Sequence, residues 1–105
     1  MSLDEGIDRG IVMATYMLLS KWTDLGRREV ATLPDRVTEV TKNLEDMGGK
    51  VLGFYLTLGE YDQVGLFEAP DDEVAAKFAV FIAGRGYVIS ETLRCFSMNE
   101  MRSLI

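Results

Sequence analysis

Apolar residues along this chain recur with two different periods, and each period predicts an element. Between Thr15 and Lys21 they fill both alternating sets of positions (Tyr16, Met17, Leu18, Leu19), which predicts a strand buried on both faces. Trp22-Thr23-Asp24-Leu25-Gly26 breaks that run, and Thr23 is placed to cap a short helical turn reaching Glu29. From about Pro34 to Met47 the period lengthens, and Leu33, Val37, Val40, Leu44 and Met47 make one helical stripe. Arg36, Glu39, Asn43 and Asp46 fall off that stripe and read as its solvated face. Pro34 suits the first helical turn, Asp35 favours the positive dipole end, and Gly48-Gly49 supplies the stop.

Apolar runs rich in strand formers then extend from Lys50 to Leu58 and from Asp62 to Glu68. Gly59-Glu60-Tyr61 between them predicts a hairpin in which Gly59 takes a positive φ. Ala69-Pro70-Asp71 opens a second helix that buries Val74, Ala75, Phe78, Phe81 and Ile82 and stops at Gly84. A last strand runs from Tyr87 to Phe96, alternating Ile89, Leu93 and Cys95 with Ser90, Thr92 and Arg94. Ser97, with Glu100 three positions on, forms a capping box for a terminal turn through Met101. The order βαββαβ predicts an α+β fold of the ferredoxin-like kind. Right-handed crossovers place two helices on one face of a four-stranded antiparallel sheet, with the first and third strands central.

The greasier side of the second strand, Leu52, Phe54, Leu56 and Leu58, is expected to face the helices, and Cys95 with it. Val51, Gly53, Tyr55 and Thr57 then point the other way. The same logic assigns Tyr16, Leu18, Ser20, Gln63, Gly65, Phe67, Ser90, Thr92 and Arg94 to the helix-free face. That face is too aromatic to stay wet and too polar for a second helix layer, so a homodimer interface is expected there. A ligand cleft at the sheet–sheet junction, lined by Tyr16, Tyr55 and Arg94 and rimmed by Lys21 and Trp22, is the sharper expectation.

Charge and composition narrow the partners. A net charge of −6 opposes binding to nucleic-acid backbones and anionic membrane surfaces. An RNA-binding sheet needs aromatic and basic residues on its third strand, whereas Gln63-Val64-Gly65-Leu66-Phe67 has one aromatic and no base. No apolar run approaches the ~20 residues of a membrane span. The stretch from Met1 to Val12 lacks the basic start and apolar centre of a signal peptide, and is expected to be a flexible leader before a single domain at 13–105. Cys95 is the lone cysteine, which excludes an internal disulfide and points to a reducing cytoplasm. With no histidine and one cysteine, neither a metal site nor another cofactor is expected.

Candidate chemistry is confined to a few side chains. Asp62, beside a turn, reads either as a cap for backbone N–H groups or as an acid/base group. Tyr61 reads either as a packing residue or as a proton donor. Arg94 is the candidate anion contact, with an ion pair to a carboxylate as the other reading.

The stretch Phe54-Tyr55-Leu56-Thr57-Leu58-Gly59-Glu60-Tyr61-Asp62 resembles the signature of the GYD domain family of bacterial and archaeal proteins. Ser20-Lys21-Trp22-Thr23, Glu68-Ala69-Pro70-Asp71-Asp72 and Glu91-Thr92-Leu93-Arg94 resemble its flanking motifs, so the likeness spans Met13 to Ile105. The resemblance implies a dimeric α/β-barrel type of assembly, similar to small cofactor-free monooxygenases and stress-responsive barrel proteins. It implies an architecture and no activity. Two functions are therefore expected in turn. The first is a homodimeric small-molecule-binding or structural module using the open sheet face. The alternative is a cofactor-independent monooxygenase or isomerase acting on a small aromatic or enolisable substrate through Tyr16, Tyr55, Tyr61, Asp62 or Arg94.

Overall fold

The computed structural model describes residues 12–105. The expected leader therefore lies outside the described residues, except for the exposed Val12. Strand β1 (Ala14–Trp22) leads into the short helix α1 (Asp24–Arg28), a 3-10 turn, and helix α2 (Leu33–Asp46). Strands β2 (Lys50–Leu56) and β3 (Gln63–Ala69) precede helix α3 (Asp72–Gly84), strand β4 (Val88–Cys95) and helix α4 (Met98–Arg102). The sheet is antiparallel throughout in the order β2-β3-β1-β4, so β1 and β3 are central and the fold is ferredoxin-like.

Local chemistry explains the boundaries. The Thr23 hydroxyl accepts from the Gly26 N–H at 3.1 Å and starts α1. Asp71 accepts from the Val74 N–H at 2.9 Å and starts α3, and Ser97 with Glu100 closes a reciprocal capping box at α4. Gly59 sits at φ +126° in the β2–β3 loop, a conformation that L side chains rarely adopt. The loop is closed by the Thr57 N–H donating to the Asp62 carbonyl at 3.0 Å.

The sheet faces the helices with the side opposite to the one expected. Tyr16, Leu18 and Phe67 join Leu44 of α2, Phe78 and Ile82 of α3, and Val88 in one core. Phe67 stacks on Tyr16 with centroids 5.3 Å apart and meets Phe78 edge-on at 5.0 Å. Ser20, Gln63 and Gly65 are buried on this same side, and Ser20 and Ser90 share a hydroxyl–hydroxyl bond of 2.8 Å. The helix-free face instead collects Met17, Leu19, Lys21, Val64, Leu66, Glu91, Leu93 and Cys95, so Cys95 points away from the helices.

Two physical features account for the reversal. β1 is apolar on both sides, so its own pattern cannot choose between them. In β2 a bulge falls between Val51 and Gly53, and Val51 pairs with Phe67 while Phe54 pairs with Gly65. The extra residue flips the alternation. Val51 thereby packs against the core, whereas Leu52 is exposed and Leu58, past the strand, is fully exposed. Phe54 and Leu56 keep the helix-side register expected of them, although Leu56 lies exposed on the edge strand. Arg36 is a further correction: it is buried, not solvated, with its guanidinium 3.9 Å from the Tyr87 ring centre.

Candidate functional site

The β2–β3 loop ends where β1 ends, and the side chains of the two meet. Asp62 accepts from the Trp22 backbone N–H at 2.8 Å, and its own N–H donates to the Ser20 carbonyl at 2.9 Å. Asp62 therefore caps backbone donors and stitches the loop to the central strand. The next residue, Gln63, accepts from the Trp22 indole N–H at 2.7 Å. Together these bonds fix Trp22 as a wedge over the end of the sheet, on the helix side.

Tyr61 and Glu60 turn the other way, toward the helix-free face. The Tyr61 hydroxyl donates to Glu91 at 2.8 Å, and Lys21 lies 5.5 Å from the Tyr61 ring centre and 3.4 Å from the Glu60 carboxylate. The hydrogen bond to Glu91, followed by burial and the charges of Glu91 and Glu60, pushes the Tyr61 pKa up. The phenol thus keeps its proton more firmly than a free tyrosine and directs it at Glu91.

This cluster forms one rim of an apolar sheet face. Registered pairs Met17↔Leu66, Met17↔Leu93 and Leu19↔Val64 lie at its centre. Tyr55, 58% exposed, lies flat over Gly53 on the same side; a Cβ at Gly53 would meet the Tyr55 ring within 2.8 Å. Ile89, 71% exposed, extends the patch along β4.

The residues expected to bind a ligand are divided between two environments. Tyr16 and Arg94 come together, with the guanidinium carbon 5.7 Å from the ring centre, but they do so on the helix side. The Tyr16 hydroxyl donates to Asp72 at 2.6 Å, and burial, then the Asp72 bond and charge, push its pKa up to about 12. Arg94 also packs on Phe96, donates to the Cys95 carbonyl, and reaches Glu100 at 3.9 Å, which ties α4 to β4. Trp22 shares the helix side. Lys21 and Tyr55 lie on the opposite face, so Tyr16, Tyr55 and Arg94 do not line one pocket. Sequence reasoning passed over Gln63, whose only signal is its position next to the Asp62 cap. Among the described residues no cluster of three or more metal-ligating side chains occurs, and no helix is long and apolar enough to cross a membrane.

Comparison with known proteins agrees with the signature at the loop. A protein of Thermus thermophilus named "Glutamine synthetase and cystathionine beta-lyase binding protein" is 36% identical over 90 residues, which cover 85% of this chain and 95% of the relative. No solved structure matches the chain significantly. The profile of the GYD domain matches residues 16–105, from the first central strand to the last residue, and the chain belongs to the GYD domain family.

Proposed function

We propose that the chain is a homodimeric binding module that holds partner proteins and does not transform a substrate. The observation that carries this reading is the helix-free sheet face. Its apolar centre of Met17, Leu19, Leu66 and Leu93, rimmed by Lys21, Glu60, Tyr61 and Glu91, has the anatomy of a protein–protein interface. A second copy covers it most simply, because two such faces related by a two-fold axis meet as like on like. A standard interface takes about 800 Å² from each partner, and exposed Tyr55 and Ile89 extend the patch toward that size.

The dimer leaves its helical surface outward. On α2 that surface carries exposed Asp35, Glu39, Glu45 and Asp46, in a chain of net charge −6. The Thermus relative bears the name of a binding protein for glutamine synthetase and cystathionine beta-lyase, and its likeness over 85% of this chain supports enzymes of those two kinds as partners. The alternative of a cofactor-independent monooxygenase or isomerase gains no support from its candidate residues. Asp62 is occupied by the Trp22 N–H, and the Tyr61 hydroxyl proton is already engaged by Glu91.

Calorimetric titration of the full chain into purified glutamine synthetase and cystathionine beta-lyase from the same organism tests the reading. Saturable heat with fixed stoichiometry is expected for at least one enzyme. Absence of saturable heat with both, at about 100 μM, contradicts it.

A further inference from the structure

The two long helices do not close completely over the sheet. Between α2, α3 and the ends of the central strands lies a cleft with about 390 Å³ of atom-free space, part of it open to solvent. Leu18, Val37, Val40, Phe54, Ile82 and Val88 form its apolar walls. A second hollow of about 290 Å³ adjoins it, sharing Leu18, Val40, Phe54 and Ile82, and runs under Gly65 with no charged side chain in its lining.

The polar lining runs against the composition of the chain. Seventeen acids face eleven bases in the sequence, yet the cleft is lined by Arg36, Arg85, Gln63 and Tyr87 and by no carboxylate. Arg85 is already paired with Glu39. Arg36 is not: it is 8% exposed, and among the described residues no carboxylate pairs with it. Its Nε donates to the Thr32 hydroxyl at 3.0 Å and Nη2 to the Glu29 carbonyl at 3.1 Å, which orients the guanidinium without neutralising it.

Gln63, 6% exposed, has its Oε1 occupied by the Trp22 indole, and its amide N–H groups have no partner among the described residues. Among those residues Asn43 Oδ1 is the enclosed side-chain polar atom that lacks a partner, so the spare donors of Arg36 and Gln63 still reach solvent. Both side chains line the cleft. The Arg36 charge is offset by no carboxylate and keeps donors open to the cleft, so an anion arriving there gains a charge-assisted hydrogen bond.

We propose that the cleft binds a small monocarboxylic acid with an apolar body. Its carboxylate is received by Arg36 and the Gln63 amide, and its body lies between Val40 and Ile82 toward Gly65. One uncompensated positive charge suits a monoanion, and the planar guanidinium suits a planar carboxylate. The site is on the helix side of the sheet, so it does not depend on what covers the opposite face.

Amide-resolved NMR titration of the full chain with phenylacetate and hexanoate, each beside its uncharged primary amide, tests this. The acids should shift the backbone amides of Arg36, Val40, Gln63 and Ile82 saturably, and bind about tenfold more tightly than the amides. Arg36→Gln should reduce that preference to about twofold or less. Should that variant fail to fold, Val40→Phe carries the second arm: it fills the cleft, keeps the melting transition, and should abolish the shifts. The proposal is overturned if neither acid gives saturable shifts by about 20 mM, if shifts map only to the helix-free face, if acid and amide bind equally, or if a folded Val40→Phe binds like the wild type.

Discussion

Replacing Phe67 with alanine probes directly which side of the sheet is the core. The ring is 2% exposed, stacks on Tyr16 at 5.3 Å and meets Phe78 edge-on at 5.0 Å. Truncating a buried phenylalanine costs about 3–5 kcal/mol, and both aromatic contacts vanish with it, so about 4 kcal/mol is expected. That is a large share of the roughly 5–15 kcal/mol that holds a domain of this size together. At about 4–8 °C per kcal/mol, the melting temperature should fall by roughly 15–30 °C. Leu66→Ala, at the next position and facing the other way, should cost the folded chain only about 1 kcal/mol. Its effect on any dimer should vary with protein concentration, which the Phe67 effect should not. Urea unfolding of both variants at several concentrations, read from midpoints at constant slope, gives the comparison. Equal costs at low concentration, or a Phe67→Ala loss below about 1 kcal/mol, would refute the assigned facing.

Three further outcomes are expected. Tyr16→Phe should cost about 1.5 kcal/mol at neutral pH through loss of the bond to Asp72, measured by chemical unfolding. Because the folded pKa of Tyr16 is raised from 10.0 to about 12, its contribution is full below pH 10 and is lost as pH rises through 12; the wild type should therefore lose more stability over that window than Tyr16→Phe does. Gly59→Val should cost about 2 kcal/mol through backbone strain at φ +126°, whereas Glu60→Ala should cost under about 0.5 kcal/mol, because it loses only an exposed ion pair; melting curves compare them. Asp62→Ala should cost about 1–2 kcal/mol by stranding the Trp22 N–H, and Asp62→Asn, which keeps an acceptor, should recover most of it in the same assay.

What was legible in the sequence is what neighbouring residues decide among themselves. Ser97 with Glu100, Thr23 with Gly26 and Gly59 in its loop are all short-range matters, and their positions follow from the residue types. Strand order follows too, since two crossovers of this length leave few arrangements. The facing of the sheet is different in kind. It depends on the one-residue bulge at Leu52 and on which side of a doubly apolar β1 the helices choose, and no residue near either feature announces the answer. The candidate sites were obscured for the same reason. Arg36 lies three positions after Leu33 and four before Val40, close enough to the apolar stripe to be suspected, but its burial is created by Tyr87 from across the fold. Tyr16 and Tyr55 share a residue type and a strand context, yet the register puts them on opposite faces.

Sedimentation velocity of the wild type beside Leu66→Glu tests most directly the claim that the helix-free face is covered by a second copy. The wild type should sediment with the mass of two chains at micromolar concentration, and Leu66→Glu as a folded single chain, because a carboxylate would be buried there without a partner. Leu93→Glu, on β4 and across β1 from Leu66 on the same face, should behave alike. A wild type that sediments with the mass of one chain at high concentration, or a Leu66→Glu variant that still sediments as two, contradicts the claim.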